Sequence, residues 1–176
     1  MTELRRVTFA LLVFGGCSLK RWNDQRIKTV DVGPFEAAIP AGWRDVREYV
    51  DSQTHPKPPA GAHVITPEEA ETSSGFQSTI MTMWIPTGNA AGMRCAEIGD
   101  MMMRPQSATL ATTTETTLGA DRLCTWTSVM QNAATTSWFR FHGDHVLYVQ
   151  CTHADEGLSR VGEVGCARFW RSLASS

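Results

Sequence analysis

The stretch from Thr136 to Thr152 constrains this chain more than any other. Thr136–His142 and His145–Thr152 are β-rich runs separated only by Gly143-Asp144. A two-residue loop with Gly first suits a type II′ hairpin turn, whose twist matches that of the paired strands. The loop sets the register, and the register sorts the side chains between faces. Phe139, Phe141, Val146 and Tyr148 share one face; Trp138, Leu147, Val149 and Cys151 share the other. A hairpin apolar on both faces must be covered on both.

Two segments have the periodicity to supply that cover. From Asp155 to Leu173, Leu158, Val161, Gly162, Gly165, Phe169 and Leu173 form one stripe at helical spacing, with Cys166 at its edge. Asp155 and Glu156 stand at the amino end and Arg168 and Arg171 near the carboxyl end, as the helix dipole favours. Around Ala90–Met103, Ala91, Cys95, Ile98 and Met102 make a second stripe. The simplest architecture is α+β: an antiparallel β-sheet packed by helices on its faces. Further strands are expected at Val32–Ile39, Trp43–Val50, Val64–Thr66, Phe76–Ile85, Thr109–Leu118 and Arg122–Met130. The proline-rich His55–Gly61 reads as a loop, and the acidic Pro67–Gly75 as a surface turn.

The first seventeen residues read differently. Arg5 and Arg6 precede the apolar run Val7–Phe14, and Gly15-Gly16 precede Cys17. A basic start, a short apolar core and small residues before a cleavage point are the parts of a signal peptide. The run is too short to cross a bilayer, which takes about 20 apolar residues. The small pair before Cys17 resembles a bacterial lipobox, although Phe14 stands where Leu is usual and Glu3 is an odd charge for this region. The resemblance implies cleavage after residue 16 and diacylglycerol on the Cys17 thiol. Two lipid signals suffice for stable anchoring. Ser18, where Asp would signal inner-membrane retention, points to the outer membrane. Residues 1–16 are thus expected to be a lipoprotein signal peptide, 17–30 a lipidated tether, and 31–176 a single domain.

Removing Cys17 from the five cysteines leaves Cys95, Cys124, Cys151 and Cys166. An even set fits disulfides in an oxidising compartment. Three pairings are possible, and sequence alone does not choose among them. Cys151 ends the strand before the last helix and Cys166 faces inward from that helix, so a bridge between them would staple helix to sheet. Cys95 faces inward from the other helix and could meet Cys124 on a later strand.

Phe35-Glu-Ala-Ala-Ile-Pro-Ala-Gly-Trp43 resembles the opening strand and Pro-x-Gly-Trp turn of PsbP-like α/β/α sandwich domains, a fold shared by bacterial lipoproteins of the DcrB and LpqN kind. Val64-Ile-Thr-Pro67, the 76–85 strand followed by a helix, the 135–152 hairpin and a closing Phe169-Trp-Arg-Ser-Leu173 are similar to later features of that family. The resemblance spans about residues 30–174. It implies a non-enzymatic accessory or binding domain and carries over no catalytic residues and no cofactor.

Several residues invite a chemical reading. His142 and His145 flank the hairpin turn with Asp144 between them, and could form part of a metal site. The alternative is an exposed polar tip, because a zinc site needs further ligands and a supporting shell. His153 lies at the far end of the hairpin. Met101, Met102 and Met103 suggest a soft surface for a partner or for copper(I), against a plain helix end on which only Met102 faces inward. Trp22, Trp43, Trp84, Trp126, Trp138 and Trp170 could stack on sugars or bases, but Trp43, Trp126 and Trp138 suit core or strand positions better. The net charge of -2 and the lack of a basic stripe give no case for nucleic acid. Gly-x-Ser-x-Gly and a phosphate-binding Gly loop are both missing from the sequence. The expectation is therefore a lipid-anchored envelope accessory or binding module without catalysis, contacting the membrane through Cys17 and an envelope protein or small ligand through its domain. The alternatives are an immunity or inhibitor lipoprotein against a toxin or lytic enzyme, and a metal-dependent envelope enzyme using His142 and His145.

Overall fold

The structure is a computed structural model, and it describes residues 28–48, 61–68, 78–103, 109–130, 133–154 and 160–174. Cys17, the signal segment, most of the tether, most of the proline-rich loop and acidic turn, and the expected first turn of the last helix lie outside the described residues.

Strand β1 (Thr29–Val32) pairs antiparallel with β2 (Phe35–Ala38) as a separate two-stranded ribbon. This corrects the single strand expected over Val32–Ile39. Gly33-Pro34 breaks the run: Gly33 takes φ 63, and Pro34 cannot donate to a ladder. The ribbon also draws Thr29 and Val30 out of the expected tether and into the domain.

The main sheet has β3 (Trp43–Asp45), β4 (His63–Pro67), β5 (Thr79–Pro86), β6 (Thr109–Leu118), β7 (Asp121–Met130), β8 (Ala133–His142) and β9 (His145–Ala154). They run in the order β3-β4-β5-β9-β8-β7-β6 with every neighbour antiparallel. β8 and β9 form the expected hairpin, with His142 opposite His145 and Gly143 at φ 61. Its position near the middle of the sheet explains its two apolar faces.

Helix α1 (Cys95–Met103) rests on β6 and β7, and α2 (Arg160–Ala174) on β2 and β9. The helix expected from Ala90 starts later. Gly88–Gly92 is a 3-10 segment, and the Glu97 side chain reaches back to accept the Arg94 backbone N–H at 2.9 Å, which fixes the start of α1.

Each face has its own core. On one, the ribbon and α2 enclose Val32, Phe35, Trp43, Ile65, Ile80, Leu147, Val149, Phe169 and Leu173. On the other, Ile98 of α1 packs with Trp126, Phe139, Val146 and Tyr148 of the sheet. One disulfide crosses each core. Cys95 of α1 bonds Cys124 of β7 with Cα atoms 5.3 Å apart. Cys151 of β9 bonds Cys166 of α2 at 6.0 Å. Both separations lie within the usual disulfide range, and all four cysteines are buried.

Candidate functional site

The chemistry-bearing side chains gather where the hairpin turn, the start of β7, the end of β5 and the ribbon meet. Alternation along β8 places Trp138, Arg140 and His142 on the α2 face, and β9 adds His145 and Leu147 to it. Arg140 is the unusual member, a cation on a strand whose neighbours are apolar and only 7% exposed. An unpaired charge there would be prohibitive, so it must have a partner.

The partner is Asp121, 8% exposed. Arg140 donates from Nε to Asp121 Oδ2 at 2.6 Å, and from Nη1 to the Leu173 carbonyl in the last turn of α2 at 2.9 Å. Its guanidinium lies 4.2 Å from the centre of the Phe35 ring, a cation–π contact with the ribbon. His142 Nδ1 lies 2.9 Å from Asp121 Oδ1. Burial pushes the Asp121 carboxyl pKa up, but the hydrogen bonds from Arg140 and His142 outweigh it and hold the value below the ordinary 3.8.

An aromatic cluster surrounds this group. The Trp84 indole stacks on the His145 imidazole, with centroids 5.0 Å apart and planes 5° from parallel. Phe35 meets Trp84 edge-on at 5.7 Å and His142 edge-on at 5.4 Å. Gly33 in the ribbon turn lets the backbone lie against the Trp84 indole, where a Cβ would collide. His145 Nδ1 lies 2.7 Å from the exposed Asp144 carboxylate. The hydrogen bond from His145 holds the Asp144 pKa below its ordinary value.

The structure therefore brings His142 and His145 together but engages them separately. Each Nδ1 faces its own carboxylate, Asp121 for His142 and Asp144 for His145. Among the described residues no group of three or more His, Cys, Asp or Glu side chains is arranged to hold a metal ion. His153 pairs with Ala134 near the other end of the hairpin. Met101 is exposed, whereas Met102 packs against the α1 core. Trp43 and Trp126 are buried, and Trp138 stacks on Trp170 of α2 at 4.9 Å.

Sequence reasoning missed the Asp121–Arg140 pair, and it placed Trp84 only among the tryptophans able to stack on a ligand, not against His145. The available signal was Arg140 itself, which sits between Phe139 and Phe141 on the inward period of β8 and so required a counter-charge. It also missed a second polar cluster. His63 Nδ1 lies 2.6 Å from Asp45 Oδ2, and its Nε2 lies 3.0 Å from the Asp31 carbonyl, tying β4 to β3 and to the ribbon. A cavity of about 740 Å³ opens there, lined by Arg44, Asp45, Val46, Arg47, Glu48 and His63.

No family model matches the chain, and no curated protein matches it. Solved structures resemble it only distantly. One is a protein of unknown function, PA94, from Pseudomonas aeruginosa, described as a putative regulator. It is 7% identical, with 83% of this chain and 92% of that one covered and a TM-score of 0.45. Another is LpqN, involved in cell envelope biogenesis of Mycobacterium tuberculosis. It is 11% identical, with 86% and 92% covered and a TM-score of 0.48. At these values neither likeness carries a statement about activity.

Proposed function

We propose that this chain is a lipid-anchored accessory or binding module of the cell envelope, without catalytic activity. One observation carries the reading. Cys95, Cys124, Cys151 and Cys166 form two buried bridges, which leaves Cys17 as the odd cysteine of five. Paired structural cysteines fit an oxidising compartment. The odd one stands after Gly15-Gly16 at the end of a signal-like segment, where a lipobox cysteine stands. Residues 1–16 are then removed, Cys17 carries the lipid, and a short tether leads to the ribbon. Ser18 favours the outer membrane.

The cluster at the hairpin tip supports binding over turnover. The Asp121 carboxylate is engaged by Arg140 and His142 in joining β7, β8 and α2. The exposed parts of the tip, His142 and Asp144, are available to a partner protein or small ligand of the envelope.

The test is Cys17→Ser in the full chain, followed by fractionation of the producing cells. The native chain is expected in the detergent-extracted membrane fraction and the variant in the soluble periplasmic fraction. Unchanged partitioning of the variant would contradict the anchor.

A further inference from the structure

The two ends of the seven-stranded sheet are unlike. At one end β3 has three residues, two of them the charged Arg44 and Asp45. At the other, β6 has ten, Thr-Leu-Ala-Thr-Thr-Thr-Glu-Thr-Thr-Leu, with six threonines and a single charge, Glu115. Sheet edges are ordinarily blunted by shortness, charge, proline or a bulge. β3 uses the first two. β6 has a register irregularity between Leu110 and Thr112, which leaves Thr112–Leu118 regular. Among the described residues β6 pairs only with β7, and Thr112, Thr114, Glu115, Thr116 and Thr117 are exposed. Along a strand paired on one side, alternate N–H and C=O groups point outward and are matched by another extended backbone.

We propose that β6 is a strand-addition surface occupied by β6 of a second copy of this chain, forming a two-fold dimer with one continuous sheet. The asymmetry between the edges argues for this pairing. Joining β6 to the β3 edge of another copy would match only the three residues of β3 and would propagate as an open chain of copies. Antiparallel β6–β6 pairing matches the whole regular stretch and closes on itself. It also places threonines opposite threonines, a favourable cross-strand combination. Glu115 opposite its own copy is the disfavoured register, since like charges would face each other. A two-fold axis at a neighbouring threonine avoids that. One strand pair is a small interface, so the dimer is a weak one, favoured where copies are concentrated.

The test is a cysteine scan of the full chain, with single substitutions at each position from Thr112 to Thr117 and non-reducing electrophoresis of the producing cells. Four of the five native cysteines are buried in bridges. The fifth, Cys17, is common to every variant and so cannot produce a position-dependent yield. Five of the six scanned side chains are exposed, so the fold tolerates the changes. Residues facing each other across the axis come within bridging distance. Residues two positions away are displaced by roughly 13 Å along the strands, beyond the ~7 Å limit for a disulfide. The expected result is a covalent homodimer that peaks at one position and is lost two residues to either side. Three results would overturn the proposal. These are no homodimer at any of the positions, a crosslink to a protein of different mass, and equal yield from Val164→Cys on the exposed side of α2.

Discussion

The Asp121 carboxylate receives the Arg140 Nε–H at 2.6 Å inside the domain. This ion pair joins parts of the chain far apart in sequence. Asp121 opens β7, Arg140 lies in β8, and Arg140 also holds the Leu173 carbonyl of α2 and the Phe35 ring of the ribbon. The half-exposed His142 shares the same carboxylate, so the hairpin tip is coupled to the packing of the last helix.

Removing one partner should therefore cost more than removing both. Asp121→Ala leaves a buried guanidinium without its counter-charge and is expected to destabilise the domain by about 3–5 kcal/mol. Replacing the pair together, as Asp121→Leu with Arg140→Met, should cost less than that single change. Urea denaturation with the disulfides intact measures both. A loss under about 0.5 kcal/mol for Asp121→Ala, the range of ordinary surface substitutions, would contradict the coupling.

The same pair sets a pH dependence. The folded Asp121 pKa is below the ordinary 3.8, so the folded state binds its proton less readily than the unfolded chain does. This contribution is complete above the unfolded value. It declines as pH falls from there through the depressed folded value, and is gone below it. Asp121→Asn should accordingly flatten the acid limb of the stability curve. An unchanged slope between native and variant in that window would count against the assignment.

The disulfides bridge helix and sheet over sequence separations of 29 and 15 residues. In the chain-entropy model such bridges stabilise by about 3.6 and 3.0 kcal/mol respectively. Replacing Cys95 and Cys124 by alanine should thus lower thermal stability somewhat more than replacing Cys151 and Cys166. Calorimetry of the two double variants gives the comparison. No loss in either would argue against both bridges.

Gly165 offers a sharper steric test. Its Cα lies against the buried Trp43 indole, and a Cβ there would collide with the ring. Alanine gains about 1 kcal/mol of helix propensity over glycine, whereas overpacking a filled core costs typically 1–3 kcal/mol. Because Trp43 is held between α2 and the sheet, the steric cost is expected to prevail and Gly165→Ala to lower the melting temperature. A rise would mean that Trp43 can yield.

These features were unequally legible in the sequence. The β8–β9 hairpin was readable because a two-residue turn fixes register and period-two alternation assigns the faces. The stripe ending at Leu173 was readable because helical periodicity persists over several turns. The ribbon was misread because Val32–Ile39 looks continuous in apolar character, and Gly33-Pro34 decides the break. The site was legible only at His142 and His145, which are close in sequence. Asp121, Phe35 and Trp84 reach the tip from three other strands. Nothing local in the sequence relates them, because their proximity depends on the strand order.

The anchor and the two bridges are read together by the intact mass of the chain from the membrane fraction, measured with and without reduction. A lipid-anchored, disulfide-bonded module gives a species beginning at Cys17, carrying diacylglycerol, and gaining four hydrogens on reduction of its two bridges. An unprocessed and fully reduced chain in the soluble fraction would contradict both anchor and bridges.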